Sequence, residues 1–297
     1  VYHAVVSGKA ELRERSWALL TARRVARFPL PLHDRIPNFA GAEAAASRLS
    51  ELPEWQAARR IKCNPDAPQR PVRLAALRQG KTVFMAVPRL RAAQCFLRLE
   101  PHALQGKLAQ AATIKGATAL GVPVKPDAVG RIDLVVAGSV AVNRSGARLG
   151  KGGGYSDLEW ALARQLGLVD NDTPVVTTVH ELQVIDDAIP MTAHDVPLDA
   201  IVTPERVIRP GRRRPKPTGI HWRELSPDQI AAMPAVAELR DQLRLGSSQR
   251  GKSGARQAAK RSSRSAAVSA KSKSAPYSGR TKRSSTAWPI SRRRPSQ

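Results

Sequence analysis

IDLVVAGSVAVNRSGARLGKGGGYSDLEWALARQLG, residues 132–167, carries the reading of the fold. It opens on an apolar run, 132–142, that predicts a strand buried on both faces and broken at Gly138. A glycine-rich loop follows over 146–154. A helix is predicted from Tyr155 to Leu166, with Gly167 as its C-terminal cap. Strand, glycine loop and helix together form the opening unit of an α/β sheet.

Working outward, the same alternation recurs. Residues 9–26 predict a helix with Leu12, Trp17, Leu20 and Val25 roughly on one face. Residues 28–39 carry Pro29, Pro31 and Pro37 and read as a loop, and 41–49 as a helix. Strands are predicted at 81–87, ended by Pro88, at 175–179 and at 200–203, with a short element at Val207-Ile208. Past Pro210 the Pro- and Arg-rich run reads as an extended arm, and 227–245 adds one short helix. The pattern is an α/β fold with its sheet covered on both faces.

The loop RLGKGGGYSD, residues 148–157, holds the chemistry. Gly150, Gly152, Gly153 and Gly154 let backbone N–H groups approach a ligand, and the helix N-terminus behind them presents free donors. Arg148 and Lys151 add charge. Two readings stand: a phosphate cradle, or a tight structural turn. The loop is neither a P-loop nor a dinucleotide fingerprint. Asp157 sits early in the helix, favoured there by the dipole and also able to ligate Mg²⁺. Asp195 and Asp199, near a strand start, are either partners for such a metal or turn residues. Lys9 and Arg13 share a helix face, as a phosphate pair or a solvated basic face. His180 is ambiguous, Asp186-Asp187 reads as solvated loop, and His180 with His194 lacks zinc-ligand spacing.

Charge and cysteines bound the rest. The chain has 297 residues and a net charge of +25. Residues 246–297 hold 14 Lys+Arg and no acid, with 14 Ser. That composition predicts a disordered tail, serving as an arm for nucleic acid or another polyanion or as a solvated extension. Two cysteines without a CxxC spacing exclude a disulfide framework and a Cys-ligated zinc site. With no membrane-spanning apolar run and no signal-peptide pattern, a cytoplasmic protein is expected.

KAELR at residues 9–13, GARLGKGGGYSD at 146–157 and HDVPLDAIVTPERVI at 194–208 resemble, in that order, the 5-formyltetrahydrofolate cyclo-ligase (5,10-methenyltetrahydrofolate synthetase) family. RIPNF at 35–39, DLVVAGSVAV at 133–142, GKGGGYSDLE at 150–159 and RPKPTGIHW at 214–222 resemble its methenyltetrahydrofolate synthetase domain-containing branch. The resemblance covers residues 9–224. It implies a three-layer α/β sandwich of the NagB/RpiA/CoA-transferase type over 1–210; composition adds the arm and short helix over 211–245 and the basic tail over 246–297, which lies outside the resemblance. It implies ATP and Mg²⁺ as cofactors and a reduced folate as substrate. The implied reaction converts 5-formyltetrahydrofolate to 5,10-methenyltetrahydrofolate with release of ADP and phosphate.

Residue by residue, the resemblance matches Lys9 and Arg13 to cations at the nucleotide phosphates. It matches Arg148, Leu149, Gly150, Lys151, Gly152, Gly153 and Gly154 to the phosphate loop, and Tyr155 to its first tyrosine. Arg148, Lys151 and Tyr155 are thereby the expected catalytic set, Asp157 and Asp195 the Mg²⁺ aspartates, and Asp66 the folate-contacting acid. The family loop reads GYYDR; here it is Gly154-Tyr155-Ser156-Asp157-Leu158, so the nucleotide half follows the pattern more closely than the folate half. A family member that keeps the fold and nucleotide site but serves as a binding or regulatory protein is the alternative.

Overall fold

The structure is a computed structural model that describes residues 2–245, with side chains from residue 8 onward. The tail expected to be disordered, 246–297, lies outside the described residues.

Helix α1 spans Tyr2–Ala22. It buries Leu12, Trp17 and Leu20 as the periodicity predicts. It ends four residues before the predicted limit, because Arg24 takes a left-handed backbone (φ 55°) and turns the chain. Strands β1 (Ala26–Arg27) and β2 (Asn38–Phe39) pair antiparallel around the proline loop. Then come α2 (Ala42–Ser50), α3 (Pro53–Ala57), β3 (Arg60–Cys63), α4 (Arg70–Arg78), β4 (Thr82–Ala86) and β5 (Phe96–Leu99). Next are α5 (Leu108–Ala111), α6 (Ile114–Leu120), β6 (Val122–Val124) and β7 (Leu134–Val136). The hairpin β8 (Ala141–Val142) and β9 (Arg148–Leu149) precedes α7 (Tyr155–Gln165). Strands β10 (Val175–Thr178), β11 (Ala200–Val202) and β12 (Val207–Ile208) and helix α8 (Pro227–Ala231) follow, with a further helical stretch over 234–245.

Eight strands form the central sheet in the order β12-β11-β10-β7-β3-β4-β5-β6. The five from β11 to β4 are parallel, and β12, β5 and β6 extend the edges antiparallel. Side chains alternate between two cores, as a pleated strand requires. Ile61, Val83, Met85, Leu134 and Val176 meet the helices α2, α4 and α6 on one face. Phe84, Val135, Val175 and Ile201 meet α7 and the C-terminal helical segment on the other. The result is helix, sheet and helix in three layers.

Three sequence expectations change in detail. The apolar run 132–142 is not one strand: β7 ends at Val136, and after Gly138 the chain leaves the sheet to form β8. The glycine loop begins at Gly150, since Arg148 and Leu149 are strand residues. The short helix expected over 227–245 is two pieces. The arm over 211–222 is packed onto the body. Lys216 is buried, 2.6 Å from Asp199 Oδ2, and donates to the Thr173 carbonyl at 2.7 Å. Trp160 of α7 donates its indole N–H to the Pro217 carbonyl at 3.1 Å.

Both cysteines are fully buried. Burial pushes the Cys63 thiol up to about 11, against the pull of Arg73 and Lys62, and the Cys95 thiol up to about 12, with Glu159 adding to the effect. The thiolate is the reactive form. Iodoacetamide should therefore leave both unlabelled in the native protein and modify both after denaturation, read by intact mass. Rapid native labelling would contradict the packing around β3 and β5.

Candidate active site

Chain direction across the sheet reverses between β3 and β7. From β3 the chain continues outward to β4, and from β7 to β10 and β11 on the other side. In open α/β sheets such a reversal opens a crevice at the carboxyl ends of the two strands, where ligands bind. The residues following β3 are Asn64, Pro65 and Asp66; those following β7 reach Gly138. A Cβ at Gly138 would lie 3.1 Å from Asp66 Oδ2 and from Ile36 Cγ1, and 3.2 Å from Gln69 Oε1. A side chain there would push Asp66, Ile36 and Gln69 aside by a few tenths of an ångström.

The glycine loop enters the crevice from β9. Arg148 is almost fully buried. Its Nη1 donates to the Gly138 carbonyl at 3.0 Å and its Nη2 to Asp157 Oδ1 at 2.5 Å. Lys151 Nζ donates to Asp66 Oδ1 at 3.1 Å. Gly154 takes a left-handed backbone (φ 68°) as the residue before α7, and no side chain caps that helix. The first N–H groups of α7 are thus presented to the crevice at the positive end of its dipole.

From α1, Arg13 Nε donates to the Gly150 carbonyl at 2.7 Å. Lys9 Nζ meets Asp195 Oδ2 at 2.6 Å, both side chains 11% exposed. Burial lowers the Arg13 pKa and Asp195 opposes it. Burial alone would raise Asp195, but the Lys9 ammonium and the N–H and hydroxyl of Thr192 outweigh it and hold the carboxyl below its ordinary value. Val196 N donates to Asp157 Oδ1 at 3.0 Å, which ties the Asp195 loop to the first turn of α7.

Three carboxylates singled out by sequence thus face cations singled out by sequence: Asp66 with Lys151, Asp157 with Arg148, Asp195 with Lys9. The bonds to Asp157 all fall on Oδ1, and those to Asp195 all on Oδ2. One oxygen of each is fixed by protein donors, and among the described residues the other accepts no hydrogen bond. That is the arrangement outer-shell donors give to metal-binding carboxylates. Among the described residues no cluster of three or more His, Cys, Asp or Glu forms a metal cage. Two carboxylates with the remaining ligands from phosphate and water suit Mg²⁺.

Other candidates have structural places. Leu149 buries its side chain with Leu12 and Ile189, so only its backbone belongs to the loop. Tyr155 is half-buried against the α7 core. Asp199 accepts from Val175 N, Arg213 and Lys216 and is no metal candidate. His180 caps the turn Glu181–Gln183. Asp187 pairs with Arg15 on the surface.

Sequence reading passed over Lys62, Asn64 and Glu159. Lys62 and Glu159 form a close ion pair with both side chains under 10% exposed. Lys62 Nζ also donates to Asn64 Oδ1 at 2.7 Å, and Asn64 Nδ2 donates to Ser156 Oγ at 3.2 Å. The signal was a lysine between Ile61 and Cys63 in a strand that buries every neighbour.

Comparison with known proteins gives this site a lineage. The model of the 5-formyltetrahydrofolate cyclo-ligase family matches residues 5–204. The methenyltetrahydrofolate synthase domain-containing protein of Mus musculus is 45% identical over 237 residues, covering 78% of this chain and 63% of the relative. Its Homo sapiens counterpart is 40% identical over 242 residues, covering 80% and 62%. The chain therefore spans under two thirds of the length of these relatives. The solved Aquifex aeolicus 5,10-methenyltetrahydrofolate synthetase overlays with a TM-score of 0.43 at 22% identity, covering 69% of this chain and 94% of that one, too slight an overlap to bear on the site. No helix among the described residues is long and apolar enough to cross a membrane. On the extent of the family match and the identity to these relatives, the chain belongs to the 5-formyltetrahydrofolate cyclo-ligase family.

Proposed function

We propose that the chain is an ATP- and Mg²⁺-dependent cyclo-ligase that converts 5-formyltetrahydrofolate to 5,10-methenyltetrahydrofolate with release of ADP and phosphate. The observation that carries the proposal is the pairing of three cations with three carboxylates at one crevice, each metal-candidate carboxylate with an oxygen left open. Family membership supports the reaction type, and the sheet is read as the NagB/RpiA/CoA-transferase type.

The chain's own groups divide the work. Lys9, Arg13 and Lys151, with the N–H groups at the start of α7, neutralise and orient the nucleotide phosphates. Arg148 holds Asp157, and Lys9 with Thr192 holds Asp195, so that each presents one oxygen. Mg²⁺ bound there supplies charge neutralisation at the transferring phosphoryl group. Asp66, beside Lys151, orients the folate so that its formyl oxygen attacks the γ-phosphate. N10 then attacks the activated formyl carbon, the ring closes and phosphate leaves. Holding the two reactants in line accounts for most of the acceleration. Ser156 and the half-buried Leu158 favour a second reading, a changed acyl or formyl substrate at the same nucleotide site.

The test mixes full-length protein, 5-formyltetrahydrofolate, ATP and Mg²⁺ and follows methenyltetrahydrofolate by absorbance. Product that depends on both ATP and Mg²⁺ is expected. MgATP bound in calorimetry without product would overturn the folate assignment and leave the second reading.

A further inference from the structure

Residues 62 and 64 lie two apart on β3 and its extension, so their side chains share one face of the sheet. Residues 156 and 159 lie three apart on α7 and share one face of the helix. These faces meet at two points, Lys62 with Glu159 and Asn64 with Ser156. The amide of Asn64 has no freedom in this arrangement. A lysine ammonium only donates, so it fixes Asn64 Oδ1 toward Lys62 and turns Nδ2 toward Ser156. The rest of Asn64 is equally committed. Its N–H donates to the Val136 carbonyl at 3.0 Å, and its carbonyl accepts from the buried Arg73 at 2.6 Å.

Asn64 therefore touches both strands of the sheet reversal and the first turn of α7. Two residues after it stands Asp66; either side of its partner Ser156 stand Tyr155 and Asp157. A buried ion pair such as Lys62–Glu159 is weak evidence for stability, since desolvation offsets its attraction. Here it determines which way an amide points.

We propose that Asn64 is a positioning residue for the nucleotide site: through Ser156 it fixes the first turn of α7, and with it Asp157 and the helix N–H groups, against the β3–β7 crevice. This rests on the nucleotide reading above and names a residue that reading does not use. Ser156→Ala removes the acceptor at the helix surface and leaves the buried pair intact. Ser156→Thr retains the hydroxyl.

The experiment titrates MgATP into the full-length wild type and both variants by calorimetry and records thermal unfolding of each. Ser156→Ala should raise the MgATP Kd roughly five- to tenfold, the worth of about one hydrogen bond, beside a modest drop in melting temperature from the unpaired Asn64 amide. Ser156→Thr should restore the wild-type Kd. A purely structural contact would move the melting temperature and leave the Kd alone, and that result overturns the proposal. So does an unchanged Kd in Ser156→Ala beside a wild type that binds. A wild type that binds no MgATP overturns the nucleotide reading itself, and this proposal with it.

Discussion

On the proposed reaction, Asp157→Asn should lower turnover by roughly 10²–10³-fold while leaving the fold intact, the loss expected when one preorganised charge at a transferring group is removed. The asparagine side chain retains Oδ1, which can still accept from Arg148 Nη2 and Val196 N. What it lacks is the negative charge of the carboxylate. The Mg²⁺ dependence should therefore move to much higher concentrations, and stability to urea should fall by less than in Asp157→Ala, because both hydrogen bonds remain although the counter-charge of Arg148 is gone. Asp157→Ala should behave differently. It leaves Arg148, 4% exposed, with only the Gly138 carbonyl at 3.0 Å. A buried charge that loses its partner costs about 3–5 kcal/mol, so this variant should lose stability as well as activity. Comparing the two separates the metal role from the structural one. An Asp157→Asn enzyme with wild-type Mg²⁺ response would exclude the residue as a ligand.

The second large effect lies beneath the site. Lys62→Met should destabilise the protein by about 3–5 kcal/mol, because Glu159 then remains buried without a counter-ion. Its surroundings offer no second cation: apart from Ser156 and the pair itself, the adjoining cavity is lined by apolar side chains such as Phe96, Val129, Ile132, Val135 and Trp160. The double variant Lys62→Met with Glu159→Leu should recover most of the loss, since apolar side chains suit that lining. Chemical denaturation of the three proteins reads this directly. A Lys62→Met protein within about 1 kcal/mol of wild type would mean that the pair is hydrated and that its partners are not held by it.

The strands β4, β7, β10 and β11 were legible because each is built of apolar and β-branched residues, which suits a parallel strand covered on both faces. Strand β3 was not, although it lies at the middle of the sheet. Its Lys62 reads as solvent-facing until Glu159, 97 positions later, is seen to neutralise it. The break after Gly138 was visible as a glycine. Its cause was not, since Asp66 and Ile36 crowd that point from distant parts of the chain. α4, β5, α6 and β6 lay in a stretch whose mixed composition gave neither period clearly.

For the candidate site, residue chemistry and family resemblance together picked out the cations and carboxylates. Neither gave their pairing. Lys151 finds Asp66 across 85 residues and Lys9 finds Asp195 across 186. Such contacts follow from the order of strands in the sheet, which periodicity does not encode. Leu149 illustrates the converse case. It lies inside the loop motif, yet its side chain fills a small core with Leu12 and Ile189.

The family match stops at residue 204, but the folding unit does not. Trp160, on the helix that carries Asp157, is covered by Pro217, and Asp199 is neutralised by Lys216 and Arg213. A fragment cut at the end of the match would bare an indole and leave a carboxylate without its two cations, beside the strand that orders the site. The arm is thus an inseparable lining of the α7 layer, and the shortest autonomous piece of this chain must extend well past the motif that classifies it.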